Sequence, residues 1–174
     1  MKLSNIIACI CEGAAEQTII EMLLENNLLI FTKEKLLDEK IIRVRKAENF
    51  EKIYLRKGFD EKITILRIID SRREKFKLSK AYEYKVDVIN VITAPEIEML
   101  IILNEGKYDA FKKGNTKPSI FCKETLGFSD VKSSQFLKKY FRDTSYLIKA
   151  ISEYHRKAKI HKEEYTLYDL LKKN

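Results

Sequence analysis

Two carboxylates, Glu12 and Asp70, each stand directly after a run of aliphatic and β-branched residues: LSNIIACIC over Leu3–Cys11, and KITILRII over Lys62–Ile69. Runs of this kind read as buried strands. An acidic residue just past the carboxyl end of a parallel strand lies where open α/β sheets gather their ligands. If both strands belong to one sheet, the two carboxylates face one crevice. There they can hold Mg²⁺, a hard cation that prefers oxygen ligands and accepts water and phosphate oxygens beside one or two carboxylates. Glu12 alone can also serve as a general acid or base. The competing reading of such a glutamate is a surface residue at a strand-to-helix turn.

The elements that must position these groups follow from the hydrophobic pattern. After Glu12-Gly13, apolar residues Ile19, Ile20, Leu23 and Leu24 recur at helical spacing across Ala14–Leu28, so the chain opens as strand, tight turn and helix. Ile41–Val44 and Lys52–Leu55 are weaker strand or helix candidates. The central strand ends at Asp70, and the charged stretch Ser71–Ala81 reads as a loop or short helix. Asp87–Thr93 (DVINVIT) is a third strand, and Pro95 suits the first turn of a helix over Glu96–Asn104. Tyr108–Cys122, with Gly114, Asn115 and Pro118, reads as irregular. Val131–Phe141 and Ser145–Ala158 carry apolar residues at helical spacing, and Tyr165–Leu171 is a further short helix.

With 174 residues, 45% apolar and 34% charged, the chain fits one compact domain. Five glycines and two prolines exclude collagen-like and linker-like compositions. No apolar stretch approaches the ~20 residues of a membrane span, and the first residues lack the pattern of a secretory signal. The expectation is a cytoplasmic protein with no membrane contact. Three cysteines cannot all pair within one chain; Cys9 and Cys11 lie in the first strand and read as small buried side chains in a reducing compartment. No phosphate-binding glycine-rich loop and no Gly-x-Ser-x-Gly elbow occurs, which argues against kinase, ATPase and serine-hydrolase chemistry.

The net charge of +8 is unevenly placed. Residues 1–105 hold 18 Lys+Arg against 18 Asp+Glu, whereas residues 106–174 hold 16 against 8. The entire excess lies in the last part, which suggests a footprint for a polyanion or, equally, a lysine-rich solvated surface. Arg72, Arg73 and Lys75 crowd the loop after Asp70. Lys138, Lys139 and Arg142 beside Tyr140 and Phe141, then Arg156 and Lys157, form the densest basic region. If the two helices that carry them lie side by side, their basic faces merge into a platform for a phosphate backbone.

The segment Cys11-Glu12-Gly13-Ala14-Ala15-Glu16 after a hydrophobic strand, then a helix, then a strand ending in Asp70-Ser71-Arg72, resembles the Toprim domain of topoisomerases, primases and the OLD-type and RloB-type nucleases. Val91–Leu103 (VITAPEIEMLIIL) is similar to the RloB-type strand-to-helix signature, in which a small residue and Pro precede a Glu-bearing apolar helix. The resemblance covers about Leu3 to Leu103. It implies a Toprim-like α/β core over residues 1–105, with a mostly parallel sheet flanked by helices, and a basic, mainly helical extension over 106–174 packed on the same domain. In such enzymes the Glu of the Glu-Gly turn handles a proton or the metal, and an Asp-x-Asp pair holds Mg²⁺ during phosphodiester chemistry. Glu12 matches the first element and Asp70 the first Asp. Arg72 stands in place of the second, exchanging an ion ligand for an ion repeller.

The expected function is therefore Mg²⁺-dependent cleavage of RNA or DNA. Glu12 and Asp70 are the catalytic and metal-holding residues, with Glu96 or Glu98 as the auxiliary carboxylate. The resemblance also implies phage or mobile-element defence and an ATPase partner subunit. The alternative is a degenerate, non-catalytic module of the same fold that binds nucleic acid or a protein partner.

Overall fold

A computed structural model describes residues 1–173 apart from the side chain of Lys57. Three strands, β1 (Ile6–Cys11), β2 (Ile63–Ile69) and β3 (Val86–Ile92), form one sheet in the order β1-β2-β3. Both pairings are parallel, with Cys11 opposite Ile68 and Ile69 opposite Ile92. This register brings the carboxyl ends of all three strands to one edge of the molecule. Glu12, Asp70 and Thr93 are the residues that leave it.

Parallel strands buried on both faces read as near-continuous apolar runs, which is why KITILRII lacks alternation. On one face Ile7, Cys9, Cys11, Leu66, Ile68 and Val91 meet α1 (Ala14–Glu25), α4 (Met99–Asn104) and α8 (Thr144–Lys157). On the other, Ala8, Ile10, Ile63, Ile65 and Val86 meet Leu37, Ile42, α2 (Ala47–Ile53) and Leu78. The first face carries the thicker layer. Phe121, Leu137, Phe141, Leu147 and Ile151, all beyond residue 105, complete its core, so the helical extension shares that core. Asn174, the last residue of the extension, lies outside the described residues.

Several elements differ from the sequence expectation. Tyr108–Cys122 is not irregular: it forms α5 (Tyr108–Lys113) and the start of α6 (Pro118–Glu124). Gly114 closes the first, and Pro118 sits at the first turn of the second, where its missing N–H costs nothing. Pro95 does not begin a helix. Residues 94–98 form turns in which Met99, Leu100 and Ile101 donate to carbonyls three residues back, and α4 begins at Met99. Of Ile41–Val44 only Ile42 pairs, as an isolated parallel bridge to Ile10, and Lys52–Leu55 ends α2. A short helix, α3 (Lys80–Glu83), follows the Ser71–Ser79 loop.

The basic helices also part company. α7 (Ser134–Tyr140) packs on α1, whereas α8 packs on α4. Each is started by a side-chain cap: Ser133 Oγ accepts from the Phe136 N–H, and Asp143 Oδ1 from the Ser145 N–H. After α8 the chain returns to the sheet. Tyr165 bridges Val91, and a 3₁₀ turn over Leu167–Leu170 closes on a capping box between Thr166 and Asp169. No helix among the described residues is long and apolar enough to cross a membrane.

Candidate functional site

The sheet's carboxyl edge joins the two carboxylates expected there from the strand pattern. Glu12 donates its backbone N–H to the Ile68 carbonyl at 3.2 Å, one further rung beyond β1. Its carboxylate Oε2 accepts the backbone N–H of Asp70, also at 3.2 Å. The two residues are therefore locked together by the last turn of the ladder. Arg45 reaches in from the loop before α2, donating to the Glu12 carbonyl, with its guanidinium 3.8 Å from Glu12 Oε1.

Burial pushes the Asp70 carboxyl above its ordinary range, and the neighbouring negative charges of Glu12 and Glu96 push it further. Glu16 behaves alike: burial raises it, Asp70 adds to the rise, and the backbone N–H groups of Glu16 and Gly13 counteract it. This carboxylate folds back over the start of α1. A Cβ at Gly13 would lie 2.6 Å from Glu16 Oε2, so a larger residue there would displace the Glu16 carboxylate from this position. Glu16 is the third residue of the helix, where a glutamate reaches back to the capping residue.

Two more acidic side chains arrive from the turn after β3. Glu96 Oε2 accepts the Ser119 backbone N–H at 2.9 Å, and its Oε1 lies 3.4 Å from Lys132 Nζ. Burial alone would raise Glu96, but the Ser119 donors and the Lys132 ammonium outweigh it, and the carboxyl sits below its ordinary range. Glu98 is 2% exposed, and its Oε1 has no hydrogen-bond partner among the described residues. Burial lifts it to about 7 against the pull of Lys132. Lys132 itself loses charge stability to burial but gains more from Glu98, Glu96 and Glu16, and stays above its ordinary range. One ammonium thus serves several carboxylates.

Arg72 does not enter this cluster. Its Nε donates to Glu164 at 2.7 Å and its guanidinium to the Lys159 carbonyl at 2.8 Å, tying the loop after β2 to the chain beyond α8. The hydrogen bond to Glu164 raises its pKa further. The ion repeller expected from the sequence is thereby spent on a structural tie. A cleft of about 590 Å³ opens beside Asp70, lined by Asp70, Ser71, Arg72, Arg73, Glu96 and Lys117 among others, so Arg72 keeps a place on its wall.

The remaining basic candidates are scattered. Arg73 lines the cleft, while Lys75 lines a separate groove beside β3. Lys138 stands 4.0 Å from Glu25 of α1, and Arg156 pairs with Glu153 one turn earlier. Lys157 lies over the Tyr108 ring, 4.5 Å from its centroid. Lys139 and Arg142 are exposed. α7 packs on α1 and α8 on α4, so the basic residues of the two helices stand on separate supports.

Two residues of the site, Glu16 and Lys132, are not among the candidates that the sequence offers. For Glu16 a signal exists, its helix N3 position after Glu-Gly; for Lys132, brought from 36 residues beyond Glu96, there is none. No cluster of three or more His, Cys, Asp or Glu among the described residues forms a ready metal cage. Glu12 and Asp70 still fit Mg²⁺, which keeps most of its waters and is held by one or two carboxylates plus substrate phosphate. The raised Asp70 carboxyl, beside the charges of Glu12 and Glu96, marks a like-charge repulsion that a cation there would relieve. No protein-family model, curated protein or solved structure matches this chain.

Proposed function

We propose that this chain is a Toprim-like nucleic-acid-processing protein, a Mg²⁺-dependent nuclease that cleaves RNA or DNA phosphodiesters. The observation that supports it most is the Glu12–Asp70 contact at the carboxyl edge of an all-parallel sheet, within a larger group of partly uncompensated carboxylates. Glu12 and Asp70 would hold the metal, with Glu96 or Glu98 as auxiliary. Once bound, Mg²⁺ would supply Lewis-acid stabilisation of phosphate charge.

The side chains divide the remaining work. Glu12, its carboxylate held by the N–H of Asp70, which lines the cleft, would take or give a proton beside that residue. Arg73 and Lys117 on the cleft walls would neutralise flanking phosphates without reading bases. Lys132 keeps Glu96 ionised and limits repulsion within the cluster. A cytoplasmic role in defence beside an ATPase subunit belongs to the same proposal and rests on the family resemblance.

A second reading is favoured by the Glu96–Lys132 contact, because the chain's own Lys132 ammonium, at the surface, already neutralises part of the cluster. It makes the chain a non-catalytic module that binds nucleic acid or a protein partner. Incubating the protein with labelled single-stranded and duplex RNA and DNA in Mg²⁺ or Mn²⁺ separates the two. Cleavage abolished in Glu12→Gln and Asp70→Asn, with binding retained, supports the nuclease. Salt-sensitive binding without cleavage in any divalent ion supports the module.

A further inference from the structure

The two edges of the sheet are finished differently. Outside β1, Leu36 bridges Ile7 and Ile42 bridges Ile10, so that edge is covered along its length. Outside β3, Tyr165 pairs only with the upper end: it donates to the Asn90 carbonyl and accepts from Ile92 N–H. These bonds fix which residues point outward. The even-numbered residues of β3 face away from β2, since Thr93 N–H donates inward to Ile69 and Ile92 N–H outward to Tyr165. Val86 and Val88 therefore turn their backbone groups to the open side, and no described residue bridges them there.

An unpaired strand edge is a template for another strand, and proteins usually blunt it with a proline, a bulge, a covering loop or charged side chains. The lower half of β3 has no proline or bulge; its one charged side chain, Asp87, is paired with Lys62, and the lysines beside it leave the edge selective for a negatively charged strand. Val88 is 39% exposed and Tyr84, just before the strand, 70%. Beside the edge runs a groove of about 400 Å³, walled by Phe76, Leu78, Val86 and Val88 and flanked by Lys75 and Lys77 against the single Glu83. Phe76 is held in place, packed edge-on to Phe50 and lying 4.8 Å under the guanidinium of the buried Arg67. The wall is thus preformed, apolar at its base and positive at its rim.

We propose that the open half of β3 is a docking site for an extended acidic peptide, which adds as a fourth strand alongside Val86–Ile89. Backbone hydrogen bonds to the outward groups of Val86 and Val88 give it affinity. Residues two apart on an added strand share a face. One apolar side chain fits over Val88 and Phe76, and the acidic residues on either side of it meet Lys75 and Lys77.

The test uses the full chain and a capped, fluorescently labelled peptide, Asp-Thr-Val-Thr-Asp, whose Asp, Val and Asp share one face. Fluorescence anisotropy should show saturable binding, at least 10-fold weaker for Lys-Thr-Val-Thr-Lys and for an Asp-Thr-Val-Thr-Asp peptide N-methylated on the edge-facing amides. Val88→Pro should weaken it at least 10-fold, since Pro is tolerated on an edge strand whose N–H faces outward and leaves the β2 ladder intact. Lys75→Glu with Lys77→Glu, both exposed, should weaken it at least fivefold without loss of fold by circular dichroism. No saturable binding, equal binding of the lysine peptide, or indifference to Val88→Pro in a folded variant overturns the proposal. So does a stable dimer in sedimentation that Val88→Pro dissolves, because the edge would then belong to a second copy.

Discussion

The acidic edge of the sheet and the basic helices beyond residue 105 are opposite in charge, and they differ more deeply in how their charges are held. At the sheet edge, Glu16, Asp70, Glu96 and Glu98, from separate places in the chain, feel one ammonium, Lys132, while Glu12 meets Arg45, and burial pushes several of them out of their ordinary range. On α7 and α8 the cations are solvated or paired locally: Lys138 near Glu25, Arg156 with Glu153, Lys157 over Tyr108. Converging, partly desolvated charge is costly to assemble and marks a site, whereas dispersed surface charge costs little and contributes long-range attraction.

That contrast is broken most sharply at the Glu12–Asp70 pair. Glu12→Gln or Asp70→Asn should lower the rate of divalent-dependent cleavage by about 10²–10⁴-fold, with thermal stability unchanged or slightly higher because like-charge repulsion is relieved. Cleavage assays alongside thermal melts check both halves. A fall in stability that accounts for the missing activity would make the pair structural.

Next in size is the core beneath the basic helices. Phe141 is fully buried in the layer shared with α1 and α4. Phe141→Ala should cost about 3–5 kcal/mol of unfolding free energy, read by urea denaturation as a single cooperative transition. Two transitions, with only the weaker one displaced, would separate the helical extension from the α/β core.

The acidic edge also predicts a pH dependence of definite sign. Glu98 stands at about 7 in the folded chain against an ordinary value near 4.5, so folding favours its protonated form. Its contribution is fully present below the ordinary value and is lost as pH rises through about 7, by at most ~3 kcal/mol. Asp70 and Glu16, also raised, act in the same direction. Urea midpoints between pH 4.5 and 8 should fall with rising pH, and Glu98→Gln should flatten part of that slope. A midpoint in Glu98→Gln that follows pH as the parent does would place the effect elsewhere.

The smallest effect belongs to the dispersed cations. Lys138→Ala with Lys139→Ala should change stability by no more than about 0.5 kcal/mol. If these lysines neutralise phosphates, the salt dependence of nucleic-acid binding should become shallower by roughly 0.7–0.9 for each phosphate that the variant leaves to its counterions. An unchanged slope would assign both lysines to solubility alone.

Much of the strand framework is legible in the sequence because its signals are local. Ile6–Cys11 and Ile63–Ile69 are continuous β-branched and aliphatic runs, and a parallel sheet buried on both faces demands that pattern. The helix after Gly13 and the two capped helices near the end follow from spacing. What escapes a reading of the sequence is long-range. Arg72 must be placed against Glu164 across 92 residues before its charge can be discounted, and Lys132 must be folded onto Glu96 across 36. Neither pairing leaves a periodicity or a spacing in the chain. The two helices that begin within Tyr108–Cys122 are hidden because each is six or seven residues long, too short to show an amphipathic repeat.

If the nuclease proposal holds, Glu12 and Asp70 form a divalent-cation site at the mouth of the sheet. A crystal of the full chain soaked in Mn²⁺ and measured at the manganese absorption edge tests it directly. An anomalous peak is expected within coordinating distance of both carboxylates, absent in Asp70→Asn crystals. Wild-type crystals with no peak there, and Lys132 alone neutralising the carboxylates, would contradict it.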